Sequence, residues 1–172
     1  MLTLILMRHA KSSWAARGQA DVDRPLNGRG RRAAAAIGDW LAARDLLPDA
    51  ALVSAAARTR ETWDRLGPAF AAIPASFRPD LYHAGPEAML RALRGAPAGA
   101  SRVLMLGHQP GIGEAARRLL AAAPDDPDFH RYPTAATAAI VFDVPAWTDV
   151  AWGAGRLADF VIPARLVAGD DD

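Results

Sequence analysis

The feature that most constrains the fold is an uncharged run at the start of the chain, Leu2 to Met7, which ends abruptly at Arg8 and His9. Six uncharged residues rich in leucine and isoleucine, followed at once by charged ones, are typical of a strand that is buried on both faces and leads into a loop. In open α/β sheets, the loops at the carboxyl ends of the strands form the usual ligand site. Arg8 and His9 supply a fixed cation beside a nitrogen nucleophile or base, which predicts a site for an anion, with phosphate the best fit.

The composition narrows the classes of function that the chain can serve. Its 172 residues and hydrophobic content of 51% predict one domain over residues 1–172. A formal net charge of +1, without a long basic run, argues against a nucleic-acid or membrane partner. The lack of cysteine excludes thiolate catalysis and zinc sites built on sulfur. Because the N-terminal apolar run fits neither a membrane span nor a signal peptide, we expect a cytoplasmic protein.

Short apolar runs alternate with helical patterns along the rest of the chain. One helix is predicted to begin after an N-cap at Asn27, and three further amphipathic patterns follow it. Strands are predicted at 50–53, 76–77, 102–106, 138–142 and 157–162. This alternation predicts an α/β fold, a three-layer α/β/α sandwich around a mainly parallel central sheet.

Four stretches fall outside the regular pattern. The polar segment 14–23 is predicted to be exposed and able to form a flap over the site. Gly67 and Pro68 interrupt the second helical pattern and should kink it or split it in two. The segment 123–134, rich in proline and aspartate, is predicted to be irregular, and the acidic tail 170–172 is predicted to fray.

Three charged features share the same placement after a predicted strand. Arg8 and His9 follow the first strand, Arg58 lies just past the second, and His108 comes directly after a third. Because the carboxyl ends of parallel strands meet at one edge of a sheet, we expect two guanidinium groups and two imidazoles around one small volume. Such a pocket suits a phosphoryl group, whose charge is spread over its equatorial oxygens during transfer.

This set of groups predicts a mechanism as well as a ligand. One imidazole attacks phosphorus in line while the other donates to a phosphoryl oxygen, and nearby arginines favour the neutral histidine that attack requires. No metal or other cofactor is then needed. A poor leaving group still requires a proton from a carboxylic acid. Asp80 is the first candidate for that acid, with Glu87 and Asp23 as alternatives.

Four separated motifs, which occur in order along the chain, resemble those of the histidine phosphatase superfamily, formerly the phosphoglycerate-mutase-like group. They are Arg8-His9-Ala10, the turn Arg24-Pro25-Leu26-Asn27-Gly28, Ser54 with Arg58 and Thr62, and Gly107-His108-Gln109-Pro110-Gly111. Within that superfamily, the chain most resembles the short SixA-type phosphohistidine phosphatases, and the resemblance runs from Leu2 to about Leu166.

The resemblance implies roles for several residues. It implies a phosphohistidine intermediate at His9 and a phosphate pocket formed by Arg8, Arg58 and His108. Ser12, together with Lys11, stands in the loop that borders this pocket in such proteins, and we expect Ser12 to contribute to phosphate binding. The chain departs from the superfamily pattern in two places. Ala10 stands where many members have glycine, and Asp80 stands where the larger mutases carry a glutamate as the proton donor.

Some of these residues also fit plainer roles. Asp80 fits equally well as the cap of a turn, and Glu87 as an acidic residue that favours the first turn of a helix. His83 and His130 are predicted to be surface or structural residues. Trp14 is the tryptophan that we expect to touch a ligand.

The predicted function is that of a metal-independent phosphatase that passes a phosphoryl group to His9 and then to water. The chain has no long insertion that could build a deep lid, so we expect an open site that accepts a phosphorylated protein side chain. By resemblance, the best candidate is phosphohistidine on a phosphorelay or phosphotransfer protein. A small phosphomonoester or a nucleotide is an alternative substrate. A hypothesis from another class is a module that binds phosphoproteins without hydrolysing them.

Overall fold

A single six-stranded sheet forms the centre of the protein in the computed structural model, which describes residues 1–167. The acidic tail predicted to fray, 170–172, lies outside the described residues. The strands are β1 (Leu2–Arg8), β2 (Ala50–Ser54), β3 (Ala75–Arg78), β4 (Arg102–Gly107), β5 (Thr137–Phe142) and β6 (Arg156–Val161). Their order across the sheet is β3-β2-β4-β1-β5-β6.

The directions of the strands confirm a mainly parallel sheet. β1 is parallel to β4, which is parallel to β2, which in turn is parallel to β3. β5 is antiparallel to both β1 and β6, so within the described part of the chain it is the strand that runs against the others. The carboxyl ends of β1, β2 and β4 therefore meet at one edge of the sheet.

Strand β1 shows why its sequence is almost continuously apolar. Leu4 and Leu6 pack into the core on one face of the sheet, and Ile5 and Met7 pack into the core on the other face. Each of these four side chains is at most 1% exposed. Burying an aliphatic side chain of this size contributes about 1.5–3 kcal/mol, so the strand is held from both sides. Its register, and hence the position of the loop after it, is strongly specified.

Helices cover both faces of the sheet, which confirms the three-layer arrangement. The helices are α1 (Gly28–Ala43), α2 (Ala57–Asp64), α3 (Pro86–Arg94), α4 (Gly111–Leu119), α5 (Pro127–Arg131) and α6 (Pro163–Val167). Residues of α3, α4 and α5 join the core that contains Leu4 and Leu6, whereas residues of α1 and α2 join the core that contains Ile5 and Met7. Among the helices of residues 1–167, none combines the length and the apolar content that a membrane crossing requires.

Local sequence signals account for the helix ends that matter for the site. The side chain of Asn27 accepts a hydrogen bond from the backbone N–H of Gly30 at 2.8 Å, which confirms the predicted N-cap of α1. The predicted interruption at Gly67 and Pro68 is also confirmed. Helix α2 ends at Asp64, and a separate 3-10 turn begins at Pro68 after Gly67 with φ of 120°.

The prediction that segment 123–134 is irregular was wrong, because α5 lies within it. The side chain of Asp126 accepts from the N–H of Asp128 at 3.0 Å, and Pro127 occupies the first helical position. Aspartate followed by proline is a helix-start signal as well as a turn signal. The high proline and aspartate content concealed that signal.

Candidate active site

The edge of the sheet brings the two predicted catalytic histidines together. Arg8, at the end of β1, is in register with Gly107 at the end of β4, and the backbone N–H of His9 donates to the Gly107 carbonyl at 3.1 Å. The residues that follow the two strands are therefore neighbours. The ring centroids of His9 and His108 are 5.3 Å apart.

Arg8 and His9 line an open cleft of about 320 Å³, and His108, which is not part of the lining itself, lies next to His9. Its lining consists of Arg8, His9, Lys11, Ser12, Trp14, Asp21, Arg24, Arg58, His83 and Thr134. Four of these side chains are cationic at neutral pH, and one is acidic. The cleft is therefore suited to an anion.

His9 is held as a neutral ring with one nitrogen free. Its Nδ1 donates to the carbonyl of Ala10 at 2.7 Å, so the hydrogen lies on Nδ1 and Nε2 carries a lone pair. Burial lowers the pKa of His9 to about 4, and the cations of Arg58, Arg8 and Arg24 act in the same direction. At neutral pH, Nε2 is therefore available as a nucleophile.

His108 presents a buried donor that has no partner among residues 1–167. Its Nε2 lies 2.7 Å from Oγ of Ser54, which itself accepts from the N–H of Ala56 at 3.4 Å. We assign the Ser54 hydroxyl as the donor to Nε2, which places the ring hydrogen on Nδ1. That Nδ1 atom is buried without a hydrogen bond. Burial, together with the nearby His9 and Arg58, lowers the pKa of His108 to about 3. An unpaired buried N–H indicates a position where a ligand oxygen can bind.

The two predicted phosphate-binding arginines both reach the cleft. Arg8 donates from Nη1 to the carbonyl of Tyr132 at 3.1 Å, and its buried Nε has no partner among the described residues. Arg58, which α2 supplies, is 3% exposed. Burial and the nearby Arg58 cation lower the pKa of Arg8. The two buried guanidinium groups repel each other, and an anion bound between them would reduce this repulsion.

Asp21 occupies the position of an anion in this arrangement. Arg58 donates to its carbonyl at 2.8 Å and to its Oδ2 at 3.0 Å, and Arg24 donates to its Oδ1 at 2.9 Å. The hydroxyl of Tyr82 donates to Oδ2 at 2.5 Å. The hydrogen bond from Tyr82, followed by those from Arg24 and Arg58, holds the pKa of Asp21 well below its usual range. The carboxyl group is therefore ionised at neutral pH.

Sequence reasoning missed Asp21, Arg24 and His83 as residues of the cleft. Arg24 is buried, donates to Oγ of Ser12, and lies 3.2 Å from the ring centroid of Trp14. His83 was predicted to be a surface or structural residue. Its ring lies at the cleft, 5.2 Å from the ring of His108, and its Nε2 is 3.1 Å from Nη2 of Arg58.

The structure separates the three predicted proton donors from the cleft. Asp80 is bound by Arg78 through two hydrogen bonds of 2.9 and 2.7 Å, its side chain is 54% exposed, and it does not line the cleft. Glu87 pairs with Arg118 at 2.9 Å on the surface. Asp23 is exposed and also absent from the lining. Asp21 is the acidic residue that takes their place.

The remaining predicted residues do reach the cleft. Ser12 is buried and lines it, with its Oγ accepting from Arg24, and Trp14 lines it with a ring that is 76% exposed. Within residues 1–167, no group of three or more histidine, aspartate or glutamate side chains is arranged to hold a metal ion.

Comparisons with known proteins agree with this geometry. Residues 4–84 match the model of the histidine phosphatase superfamily, branch 1. The fold is similar to that of a protein assigned as phosphohistidine phosphatase SixA from Nakamurella multipartitia, with a TM-score of 0.81 and 34% identity over 94% of this chain and 96% of that one. A second protein assigned as SixA, from Agrobacterium tumefaciens, gives a TM-score of 0.77 and 30% identity over 94% of this chain and 98% of that one.

A sequence relative covers almost the same length. It is an uncharacterized protein of Mycobacterium tuberculosis that is 33% identical over 162 residues, which are 91% of this chain and 99% of that one. The similarity therefore extends over more than nine tenths of the chain and is not confined to the motifs around the cleft.

Proposed function

Because the chain belongs to the histidine phosphatase superfamily and is a phosphatase of SixA type, we propose that it hydrolyses its substrate through a phosphoryl group carried on Nε2 of His9. We propose further that the substrate is phosphohistidine on a phosphotransfer protein. The observation that carries the proposal is the hydrogen bond from Nδ1 of His9 to Ala10, which leaves a neutral Nε2 in a cleft lined by arginines.

In the first step, the bond between Nε2 of His9 and phosphorus forms as the bond from phosphorus to the leaving nitrogen breaks. The donors without a partner among residues 1–167 are Nε of Arg8 and Nδ1 of His108, and they are available to the equatorial oxygens, where charge accumulates. Arg58 is the third donor, once Asp21 yields or shares its guanidinium. In the second step, water attacks phosphorus, the bond to Nε2 breaks, and His9 leaves as a neutral ring that still carries hydrogen on Nδ1. The proton lost by water passes to solvent.

The state of the carboxylate favours phosphohistidine over an alkyl ester. An alkoxide leaving group needs a proton from an acid. Asp21 is the acidic residue of the cleft, and the hydroxyl of Tyr82 and two arginines keep it ionised. An imidazole that carries hydrogen on its other nitrogen departs as a neutral ring without a proton from the enzyme. The cleft is therefore better suited to phosphohistidine than to a phosphorylated alcohol.

The rim of the cleft supports a protein substrate. Trp14 is 76% exposed and the side chain of His83 is 54% exposed, and both line the opening. A phosphorylated histidine on the surface of another protein can enter such an opening without first leaving its own chain. A module that only binds phosphate would have no need of a neutral, unblocked histidine between two arginines, which argues against the binding-only hypothesis.

The test is to trap the intermediate and to compare leaving groups. The protein is mixed with a phosphohistidine-bearing phosphotransfer protein, quenched in base, and analysed by mass spectrometry. We expect acid-labile phosphate on the peptide that contains His9. We also expect phosphohistidine and aryl phosphate to be hydrolysed much faster than phosphoserine. Turnover without phosphate on His9 would refute the intermediate, and equal rates on phosphoserine and phosphohistidine would refute the substrate class.

A further inference from the structure

A second groove, distinct from the phosphate cleft but continuous with it, lies beside α1. Its volume is about 220 Å³. It is lined by Lys11, Arg29, Ala33, Arg131, Pro133, Thr134, Ile162, Pro163 and Ala164. Lys11 and Thr134 line both the groove and the cleft, so the two are adjacent and a ligand large enough to fill the cleft can also reach the groove.

The charged side chains of this groove are all basic. Arg131 is paired with Asp128, and its side chain is 69% exposed. The side chains of Lys11 and Arg29 are exposed and form neither an ion pair nor a hydrogen bond with any residue in the range 1–167. The groove therefore presents positive charge that the described part of the chain does not neutralise.

Close packing fixes Arg29 beside Lys11. The backbone N–H of Asn27 donates to the carbonyl of Lys11 at 3.0 Å, and a Cβ at Gly30 would lie 2.1 Å from that same carbonyl oxygen. Only glycine allows the first turn of α1 to approach the loop after β1 so closely. These backbone contacts bring the start of α1, where Arg29 lies, against the loop that carries Lys11, so both residues line the same groove.

The position of Arg29 carries an electrostatic cost. A cation in the first turn of a helix opposes the helix dipole by about 0.3–1 kcal/mol. Arg31, in the same turn, is compensated by Glu61 at 2.8 Å. Arg29 has no such partner among residues 1–167, so an anion that enters the groove would relieve the repulsion as well as pair with Lys11.

We propose that this groove binds carboxylate side chains of the segment that flanks the phosphorylated residue of an acidic protein substrate. The proposal rests on the proposed function insofar as the substrate is a protein. Apolar groups from Ala33, Pro133 and Ile162 share the lining with the cations, which suits the aliphatic stems and charged ends of glutamate and aspartate.

The contrast with the cleft favours carboxylates over a second phosphate. In the cleft, Arg58 is 3% exposed and is fixed by hydrogen bonds, as a site for one phosphoryl group requires. The cations of the groove are exposed, and two of them are not held by a partner within the described residues. Exposed cations attract acidic segments of differing sequence through long-range electrostatics. They do not hold a single oxyanion in one fixed position.

The experiment compares two phosphohistidine peptides that differ only in their flanking residues, one with aspartate and glutamate and the other with serine and alanine. For the unmodified protein at low salt, we expect kcat/KM for the acidic peptide to be about tenfold higher, with the difference shrinking as salt is added. Arg29→Glu should abolish this preference and leave the hydrolysis of p-nitrophenyl phosphate unchanged. Arg32→Glu is the matched control, because Arg32 lies in the same helical turn, is exposed and does not line the groove.

Each outcome decides the proposal. Loss of the preference in Arg29→Glu but not in Arg32→Glu supports it. An unmodified protein without a preference, or equal effects of the two variants, would overturn it. If no phosphohistidine peptide is hydrolysed, the proposed function fails separately. The groove is then judged by fluorescence anisotropy of labelled phosphoserine peptides with the same two flanks, which detects binding without turnover.

Discussion

The two sides of the phosphate cleft are held in place by different means. On the side of the sheet, His9 and Arg8 donate from their side chains to backbone carbonyls, and His108 is held by the hydroxyl at the end of β2. On the opposite side, the segment 14–23 supplies Asp21, on which Arg58 and Tyr82 converge.

The sheet side of the cleft is therefore preformed, whereas a ligand can change the contacts on the side that contains Asp21. The register between β1 and β4 positions the residues on the sheet side, so their geometry exists before any ligand binds. The second side is organised around one carboxylate, which occupies hydrogen-bonding positions of Arg58 that a phosphoryl group would also use. Substrate binding must therefore either displace Asp21 or share the guanidinium with it.

The largest effect is expected from His9→Ala, which removes the reacting atom from the side of the sheet. The phosphoenzyme should disappear, and kcat/KM for an aryl phosphate should fall by at least about 10³-fold. The matched control is His130→Ala, because His130 is exposed and does not line the cleft. Circular dichroism establishes that both variants fold. Residual phosphoenzyme in His9→Ala would assign the nucleophile to another residue.

Arg58→Ala tests the side of the cleft that contains Asp21. Because the buried guanidinium is a donor to the developing charge, its loss should raise the activation free energy by about 2 to 4 kcal/mol, measured as kcat/KM. Arg60→Ala removes an exposed arginine from the same helix and should have little effect. Equal losses in the two variants would show that α2 tolerates neither change and would leave Arg58 without a distinct role.

The pH dependence of the free energy of unfolding tests the surroundings of His9, on the sheet side of the cleft, and needs no ligand. Because the pKa of His9 is about 4 in the folded protein, against 6.5 for the free side chain, the unfolded chain binds more protons between these values. Stability is therefore complete above pH 6.5 and is lost as the pH falls towards 4, by about 3 kcal/mol for this group at about 1.4 kcal/mol per pH unit. Urea unfolding at pH 7 and pH 5 measures about 2 kcal/mol of this loss, and the change should be smaller in His9→Asn. An identical pH dependence in the variant would contradict the assignment to His9.

The smallest effect is expected from Asp21→Asn, which changes only the side of the cleft opposite the sheet. The change removes a negative charge that opposes phosphate, and one charge at about 4 Å in a water-like medium corresponds to about 1 kcal/mol. Inhibition by inorganic phosphate should therefore become about fivefold tighter. Asp23→Asn, two residues away and exposed, should leave the inhibition constant unchanged. Weaker inhibition in Asp21→Asn would show that Asp21 positions Arg58 rather than competes with the ligand.

The positions of the residues on the two sides of the cleft were not equally predictable from the sequence. The placement of Arg8, His9 and His108 follows from a general rule, since each ends or follows a buried strand and parallel strands end at one edge. Arg58 was predicted by its spacing from a strand end. No such rule predicts the side of the cleft that segment 14–23 supplies. Its central contact joins Asp21 and Arg58 across 37 residues, between a short 3-10 turn and helix α2, whose local sequence patterns contain no information about each other.

The wrong prediction of Asp80 as proton donor shows that closeness along the chain to a residue of the site does not place a side chain in the cleft. Asp80 lies two residues before Tyr82, whose hydroxyl donates to Asp21 of the cleft, so its position in the chain was a reasonable guide. Arg78, however, is close enough along the same turn to hold both carboxylate oxygens. A short-range ion pair of this kind competes with any longer-range role, and the sequence alone does not tell which prevails.

The central place of β1 has a consequence for how such an enzyme can be altered. The strand is hydrogen-bonded to a neighbour on each side, and both of its faces are buried, so moving His9 would require rebuilding the sheet. The loops that face it carry no such constraint. Exchange of residues 13–24 between related chains offers a practical route for engineers to change which molecules are accepted while the reactive atom is left untouched.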